Sequence, residues 1–245
     1  MEHKKPVSID TNLETGIEGL DHLLNGGLPA KNQTLIVGGP GTGKTLMVME
    51  ILYHTAKKGI PCAYIAFDEK PDNIVKNFKN TFPNMADIED LIKKKMIVID
   101  GNDTASRIAT NKVVETGYSM GDLISDMEGI IRSNESHVVV IDSLSFLKLM
   151  LGKSLLYNKS VAAIISNMRR LNVTTIFTLD IPYYDSTKMK FLQEMLLFDC
   201  ILGLYQNDQD KNMGFGIQII KIRGFSYSRG IKAYTVTSEG IKFNQ

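Results

Sequence analysis

The sequence predicts an α/β fold: a mainly parallel central sheet with helices on both faces and an antiparallel extension at its C-terminal end. Three observations predict it. Short β-branched apolar runs alternate with longer stretches of helical periodicity as far as residue 198. A glycine-rich turn, GGPGTGKT at 38–45, joins the first of these runs directly to a helical stretch. Beyond residue 198 the apolar runs follow one another with no helix between them.

The runs TLIVGG (34–39), CAYIAF (62–67), MIVID (96–100), HVVVID (137–142) and TTIFTLD (174–180) are continuous rather than alternating. That is the pattern of strands covered on both faces. Between them, 44–58, 72–81, 86–94, 120–133 and 155–171 read as helices, and strand–helix–strand order makes the sheet parallel. The segment 191–198 reads as one more helix. CILGLYQ, GFGIQIIKIRG and IKAYTVTSEGIKF then read as strands, separated by the turn signals NDQDKNMG and YSRG. They form a meander or hairpin closing the far edge of the sheet. There is no internal repeat or low-complexity tract. One domain takes up residues 1–245, with 1–14 as an N-terminal extension.

With 245 residues, 43% of them hydrophobic, the chain can build one large core. The formal net charge of +1 supplies no bulk attraction to nucleic acid or to an anionic membrane. The two cysteines, Cys62 and Cys200, sit inside apolar runs and read as buried reduced thiols. MEHKKPVSID carries charge without a following apolar region, so it does not read as a secretion signal. No run approaches the ~20 apolar residues of a membrane helix. The chain reads as soluble and cytoplasmic. Twelve methionines fall mostly within periodic helices and read as core filling.

Gly38-x-x-x-x-Gly43-Lys44-Thr45 is a complete phosphate-binding loop, the Walker A pattern, and it lies where that loop must lie, after a strand and opening a helix. Glycines let successive backbone N–H groups turn inward, and the helix N-terminus adds partial positive charge. Gly38, Gly39, Pro40, Gly41, Thr42, Gly43, Lys44, Thr45 and Leu46 are therefore the nucleotide-binding candidates. Lys44 reaches toward the β- and γ-phosphates, and Thr45 is a Mg²⁺ ligand. A carboxylate must help to place that metal. Asp142, delivered by HVVVID to the carboxyl end of a parallel strand and followed by Ser143, is favoured over Asp100, which ends MIVID in the same form. Asp68 and Glu69 close CAYIAF and admit two readings. They can orient or deprotonate an attacking water, or they can be an acid pair at the start of the helix that Pro71 opens. Lys221 and Arg223 lie two apart in KIRG and so share one face of a strand. Taken alone, they read as a solvated edge or as a pair with an anion between them.

TGIEGLDHLLNGGLP (15–29), GGPGTGKT, YIAFDEKP, VVVIDSL and IIKIRG together resemble the circadian-clock KaiC family within the RecA/RadA recombinase superfamily. The resemblance runs from about Thr15 to Phe243 and implies one RecA-like P-loop NTPase module of the kind the clock protein carries twice. It implies that Asp68 and Glu69 are the catalytic carboxylates, with Glu69 as main base and Asp68 as partner. Asp68 departs from the family's two glutamates and has a shorter reach. The resemblance also places TTIFTLD between the strands ending in the phosphate loop and in Asp142, so that Thr178 and Asp180 end near the γ-phosphate. It further implies that Lys221 and Arg223 act in trans on nucleotide held between subunits of a hexameric ring. Phe225 and Tyr227, in RGFSY, replace the family's polar residues.

The function expected is binding and hydrolysis of ATP with Mg²⁺ in a homo-oligomeric ring, in signalling or regulation with an unidentified regulatory protein partner. The alternatives are an ATP-binding switch with negligible turnover, an autokinase, or a DNA-binding recombinase or repair protein. The last would use the loops SFLKLMLGKSLLYNK and IPYYDSTKMK, the second mixing tyrosines with lysines. Net charge and the early start of the core argue against DNA. The stretch 101–119 is polar and weakly periodic and reads as a gate to the site or to a partner. No histidine has ligand spacing.

Overall fold

A computed structural model describes residues 11–101, 119–152, 155–181, 192–206, 214–224, 227 and 230–243. The chain opens with β1 (Asn12–Leu13), α1 (Glu18–Leu23) and β2 (Leu28–Pro29). β1 and β2 form a small antiparallel pair with Leu13 buried, so the fold begins inside the expected 1–14 extension. The turn before α1 explains the polar letters of TGIEGLD. Asp21 Oδ1 accepts from Thr15 N and Thr15 Oγ1, both at 2.7 Å, and Asp21 Oδ2 accepts from Gly16 N at 3.0 Å.

The phosphate-loop unit follows as β3 (Gln33–Gly38) and α2 (Lys44–Lys57). Then come β4 (Cys62–Ala66), α3 (Pro71–Thr81), α4 (Ile88–Lys93), β5 (Ile97–Gly101), α5 (Met120–Ser133), β6 (Val138–Asp142), α6 (Leu144–Leu151), α7 (Leu155–Leu171) and β7 (Thr174–Asp180). The chain ends with β8 (Cys200–Gln206), β9 (Phe215–Ile222), β10 (Lys232–Thr237) and β11 (Gly240–Phe243). Two local starts are legible in sequence: Pro71 takes the first position of α3, and Ser119 with Asp122 forms a capping box on α5.

Nine strands make one sheet in the order β11-β10-β9-β8-β3-β7-β6-β4-β5. β8, β3, β7, β6, β4 and β5 are parallel, and β9, β10 and β11 continue antiparallel. The expected meander is thus present beside β8, and β7 lies between β3 and β6 as the resemblance implied. Side chains along β3 alternate between two cores. Ile36 packs with Val48, Leu52 and Tyr64 under α2, and Leu35 and Val37 pack with Ile141, Ile164 and Phe177 under α5 to α7. Burial on both faces is why these strands read as unbroken apolar runs. Cys62 and Cys200 are buried free thiols.

Two expectations change. Of the segment 191–198, the described residues hold no α-helix: Gln193–Leu197 forms a 3₁₀ turn before β8. SFLKLML, a loop in the recombinase alternative, is helix in α6, whereas LLYNK opens the helix expected over 155–171. Leu144, Leu147 and Leu151 recur at helical spacing, and Leu144 and Leu147 are buried. IPYYDSTKMK beyond Ile181 and the stretch 102–118 lie outside the described residues. No helix among the described residues is long and apolar enough to cross a membrane.

One acid ties the C-terminal hairpin to the phosphate-loop helix. Glu50 on α2 is 2% exposed. Its oxygens accept from Ile241 N at 3.0 and 3.2 Å, and His54 Nε2 lies 3.7 Å away. Gly240 has φ +121°, and a Cβ there would sit 2.3 Å from Glu50 Oε1, so only glycine admits this approach. Glu50→Ala leaves a buried amide unpaired and should lower unfolding free energy by about 2 kcal/mol, measured by urea denaturation. Hydrogen exchange at Ile241 should accelerate in the same variant.

Candidate functional site

The carboxyl ends of β3, β4, β6 and β7 converge on one cavity of ≈490 Å³, lined by the phosphate loop together with Asp68, Glu69, Asp142, Ser143 and Asp180. The crossover from β3 to β4 skips two strands, so side chains distant in sequence meet here. Gly41 and Gly43 have φ +78° and +83°. These left-handed values turn successive N–H groups to one side, and Gly43 leads directly into α2.

Turning N–H groups inward turns carbonyls outward, and those that are buried need donors. The Tyr234 hydroxyl, on β10, donates to the Thr42 carbonyl at 2.6 Å. Tyr234 is 1% exposed and stacks on Phe215 at 5.5 Å. The antiparallel extension therefore braces the phosphate loop from behind. Lys44 Nζ donates to Gly39 O at 2.8 Å and Gly38 O at 3.1 Å and pairs with Asp180 Oδ1 at 2.6 Å. A phosphate drawing Lys44 outward competes with Asp180 for it.

Asp142 is 7% exposed. Its Oδ2 accepts from Thr45 Oγ1 at 2.8 Å and from the Tyr64 hydroxyl, and its Oδ1 accepts from the Thr178 hydroxyl. Burial, reinforced by Asp142, holds the Tyr64 phenol well above its ordinary pKa. Asp100 lies on β5 at the sheet edge, four strands from β3, and is not among the residues around the loop. The Thr45–Asp142 pair offers hard oxygen donors, the set that Mg²⁺ prefers. Ser143 Oγ, 3% exposed and lining the same cavity, has no partner among the described residues. The site therefore fits a Mg²⁺–triphosphate group: inward amides and Lys44 for phosphate, Thr45 and Asp142 for the cation, and an orphaned hydroxyl for an added polar atom.

Asp68 and Glu69 face this cavity and not the start of α3 alone. Burial first, and then the Asp142 charge, pushes the Asp68 carboxyl up to about 6. The same causes raise Glu69, against the hydrogen bond that Asn77 Nδ2 donates to Glu69 Oε1 at 3.0 Å. Thr178 does not line the cavity but anchors Asp142, whereas Asp180 lines it.

Lys221 and Arg223 stand elsewhere. Ile222 pairs with Cys200, which pairs with Thr34 near the start of β3. They thus lie at the amino ends of the parallel strands, roughly 13 Å of strand from Gly38. β9 ends at Ile222, so Arg223 is beyond the strand, and a bulge at Ile201/Leu202 interrupts the register beside it. Their setting mixes the two readings, with Arg223 half-exposed and the Asp199 carboxylate beside the pair. Lys221 Nζ donates to Phe198 O at 2.6 Å, while Arg223 pairs with Asp199 at 3.2 Å and donates to Leu196 O at 2.9 Å. Asp199 also pairs with Arg169 at 3.0 Å. Burial and the neighbouring Arg223 lower the Lys221 pKa. The Tyr227 hydroxyl turns back to Ile220 O at 2.9 Å, and Phe225 lies outside the described residues. Sequence reading missed Tyr64, Tyr234 and Asp199. The tyrosines lie within apolar runs where a phenol and a phenyl ring fit the pattern equally, and Asp199 carries no motif.

Comparison with known proteins agrees with this geometry. The model of the family described as ATPase: KaiC matches residues 13–245. The circadian clock oscillator protein KaiC of Picosynechococcus is 27% identical over 230 residues, covering 94% of this chain and 43% of that protein. Its counterpart from Synechococcus elongatus is 26% identical, with the same coverage. The chain thus spans less than half the length of the curated relatives it matches. A KaiC-like protein from Pyrococcus horikoshii, known from its crystal structure, has the same fold. It superposes with TM-score 0.80 at 20% identity, covering 96% of this chain and 99% of its own.

The raised Asp68 carboxyl has a pH consequence. Its ordinary unfolded value is about 3.9, so between pH ~4 and ~6 the folded chain binds more protons, and stability falls as pH rises through that window. In nucleotide-free protein, Asp68→Asn should remove this slope. Urea midpoints of variant and wild type should diverge in the variant's favour from pH 4 to 6 and run parallel above 7.

Proposed function

Because this chain belongs to the KaiC family of ATPases, we propose that it binds MgATP between subunits of a homo-oligomeric ring, a hexamer, and hydrolyses it there. The observation that carries this reading is the division of the charged groups between two rims of the sheet. Lys44, Thr45, Asp142, Asp68 and Glu69 share one cavity, while Lys221 and Arg223 lie at the opposite ends of the strands. The pair cannot serve the cavity of its own chain, and the Arg223 side chain is 55% exposed, open to a neighbour.

In this mechanism the inward amides of 41–46 hold the phosphates, and Lys44 leaves Asp180 to join them. Thr45 and Asp142 would hold Mg²⁺, which would supply positive charge against that of the phosphates. Glu69 orients the attacking water and takes its proton, with Asp68, pushed up to about 6, beside it as partner. Lys221 and Arg223 of a neighbouring copy stabilise the charge that develops on the transferring phosphoryl group. Turnover drives a change of ring conformation that a regulatory protein reads.

Phosphate release and solution mass, measured together with and without MgATP, test the reading. Lys44→Ala should abolish nucleotide binding. Glu69→Gln should bind ATP yet turn over at least ~100-fold more slowly. Arg223→Ala should lose ~10³-fold in turnover with the assembled mass intact. Wild-type turnover by Lys44→Ala, or a monomer that hydrolyses ATP as fast as any assembly, would sink it.

A further inference from the structure

The Asp142 carboxylate is held from three elements. Thr45 comes from α2, Thr178 from β7 and Tyr64 from β4. Thr45 is itself a candidate ligand of the cation, and Thr178 engages the other oxygen. Tyr64 is therefore the donor that reaches the same oxygen as Thr45 without being placed to touch a ligand. Its ring is fully buried in the core between the sheet and α2, beside Ile36 and Val140. A phenyl ring would fill that space equally well. The phenolic oxygen adds a polar atom to an apolar core, a loss unless it is bonded, and Asp142 is the partner it has there.

We propose that Tyr64 is a positioning residue, whose buried hydroxyl holds Asp142 Oδ2 in the orientation from which Asp142 and Thr45 together take a divalent cation. This rests on the reading of the cavity as a metal–nucleotide site. The carboxylate has two rotatable bonds. Without Tyr64, Thr178 still holds Oδ1, but Oδ2 keeps only Thr45, whose own oxygen the cation would share, so the carboxylate plane is held less firmly. Outer-shell donors of this kind typically change metal affinity by about 10–100-fold when removed.

The test is Tyr64→Phe, which deletes the oxygen and leaves the packing. Binding of a fluorescent ATP analogue is titrated with MgCl₂ and repeated in EDTA, and thermal melting checks the fold. The Mg²⁺ concentration for half-maximal binding should rise about tenfold, with affinity in EDTA unchanged and a cooperative melt retained, its midpoint lowered by the lost bond to a buried carboxylate. In an Asp142→Asn background the same substitution should move the Mg²⁺ midpoint less than about twofold, because the hydroxyl acts through Asp142. An unchanged midpoint, an equal loss with and without Mg²⁺, or full additivity with Asp142→Asn would each overturn the proposal. Failure of the wild type itself to bind the analogue would remove the metal–nucleotide reading and this proposal together, a result distinct from any difference between wild type and variant.

Discussion

A carboxylate buried at the end of a parallel strand is the constraint around which this protein is arranged. Asp142 is almost without solvent, and an ionised acid there is tolerable only if its oxygens are bonded. Three hydroxyls meet it, from α2, β4 and β7. Each comes from an element that must be adjacent to β6 or must enter the cavity from β3. The strand order supplies this adjacency, because β6 lies between β4 and β7 with β3 one strand further. The same order brings Asp68, Glu69 and Asp180 to the same rim. Burial and then the Asp142 charge raise the Asp68 and Glu69 carboxyls.

The phosphate loop imposes the complementary demand. Its amides must face inward, unpaired until a ligand arrives, and its carbonyls must find donors behind it. Tyr234 meets the Thr42 carbonyl from β10, and Lys44 meets those of Gly38 and Gly39. Glu50, one helical face further along α2, receives the amide of Ile241 from β11. The antiparallel extension is thus fastened both to the loop and to the helix the loop opens. Beyond closing the sheet, the last strands thus supply two buried polar contacts to the phosphate-loop unit.

The basic end of β9 belongs to a different part of the molecule. Lys221 and Arg223 are gripped by the carbonyls of the 3₁₀ segment and by Asp199, which Arg169 supports from α7. Asp199 N also donates to Gln33 O at 2.9 Å, at the start of the strand that ends in the phosphate loop. The two charged rims therefore share β3 as a common rod.

The parallel strands, the main helices, the phosphate loop and the delivery of Asp142 to the rim beside that loop were all legible in the sequence. Each depends on local pattern: unbroken apolar runs for doubly covered strands, glycine spacing for the left-handed loop, a hydrophobic strand delivering an acid to its end. The helix over 144–151 is hidden because Leu147, Leu149 and Leu151 alternate as a strand's would, and only with Leu144 does the set 144, 147, 151 take helical spacing. Asp68 and Glu69 could not be assigned from local pattern, since acids before Pro71 suit a helix start as well as a cavity, and only the strand order turns them toward Asp142. Tyr64 and Tyr234 were invisible because a hydroxyl does not alter hydrophobic periodicity, and its partner lies 78 residues away in one case and 192 in the other. Sequence by itself therefore determined the elements and half of the phosphate site, because these follow from backbone conformation and burial. Tertiary structure alone decided which polar groups meet, because such pairings depend on which strands become neighbours.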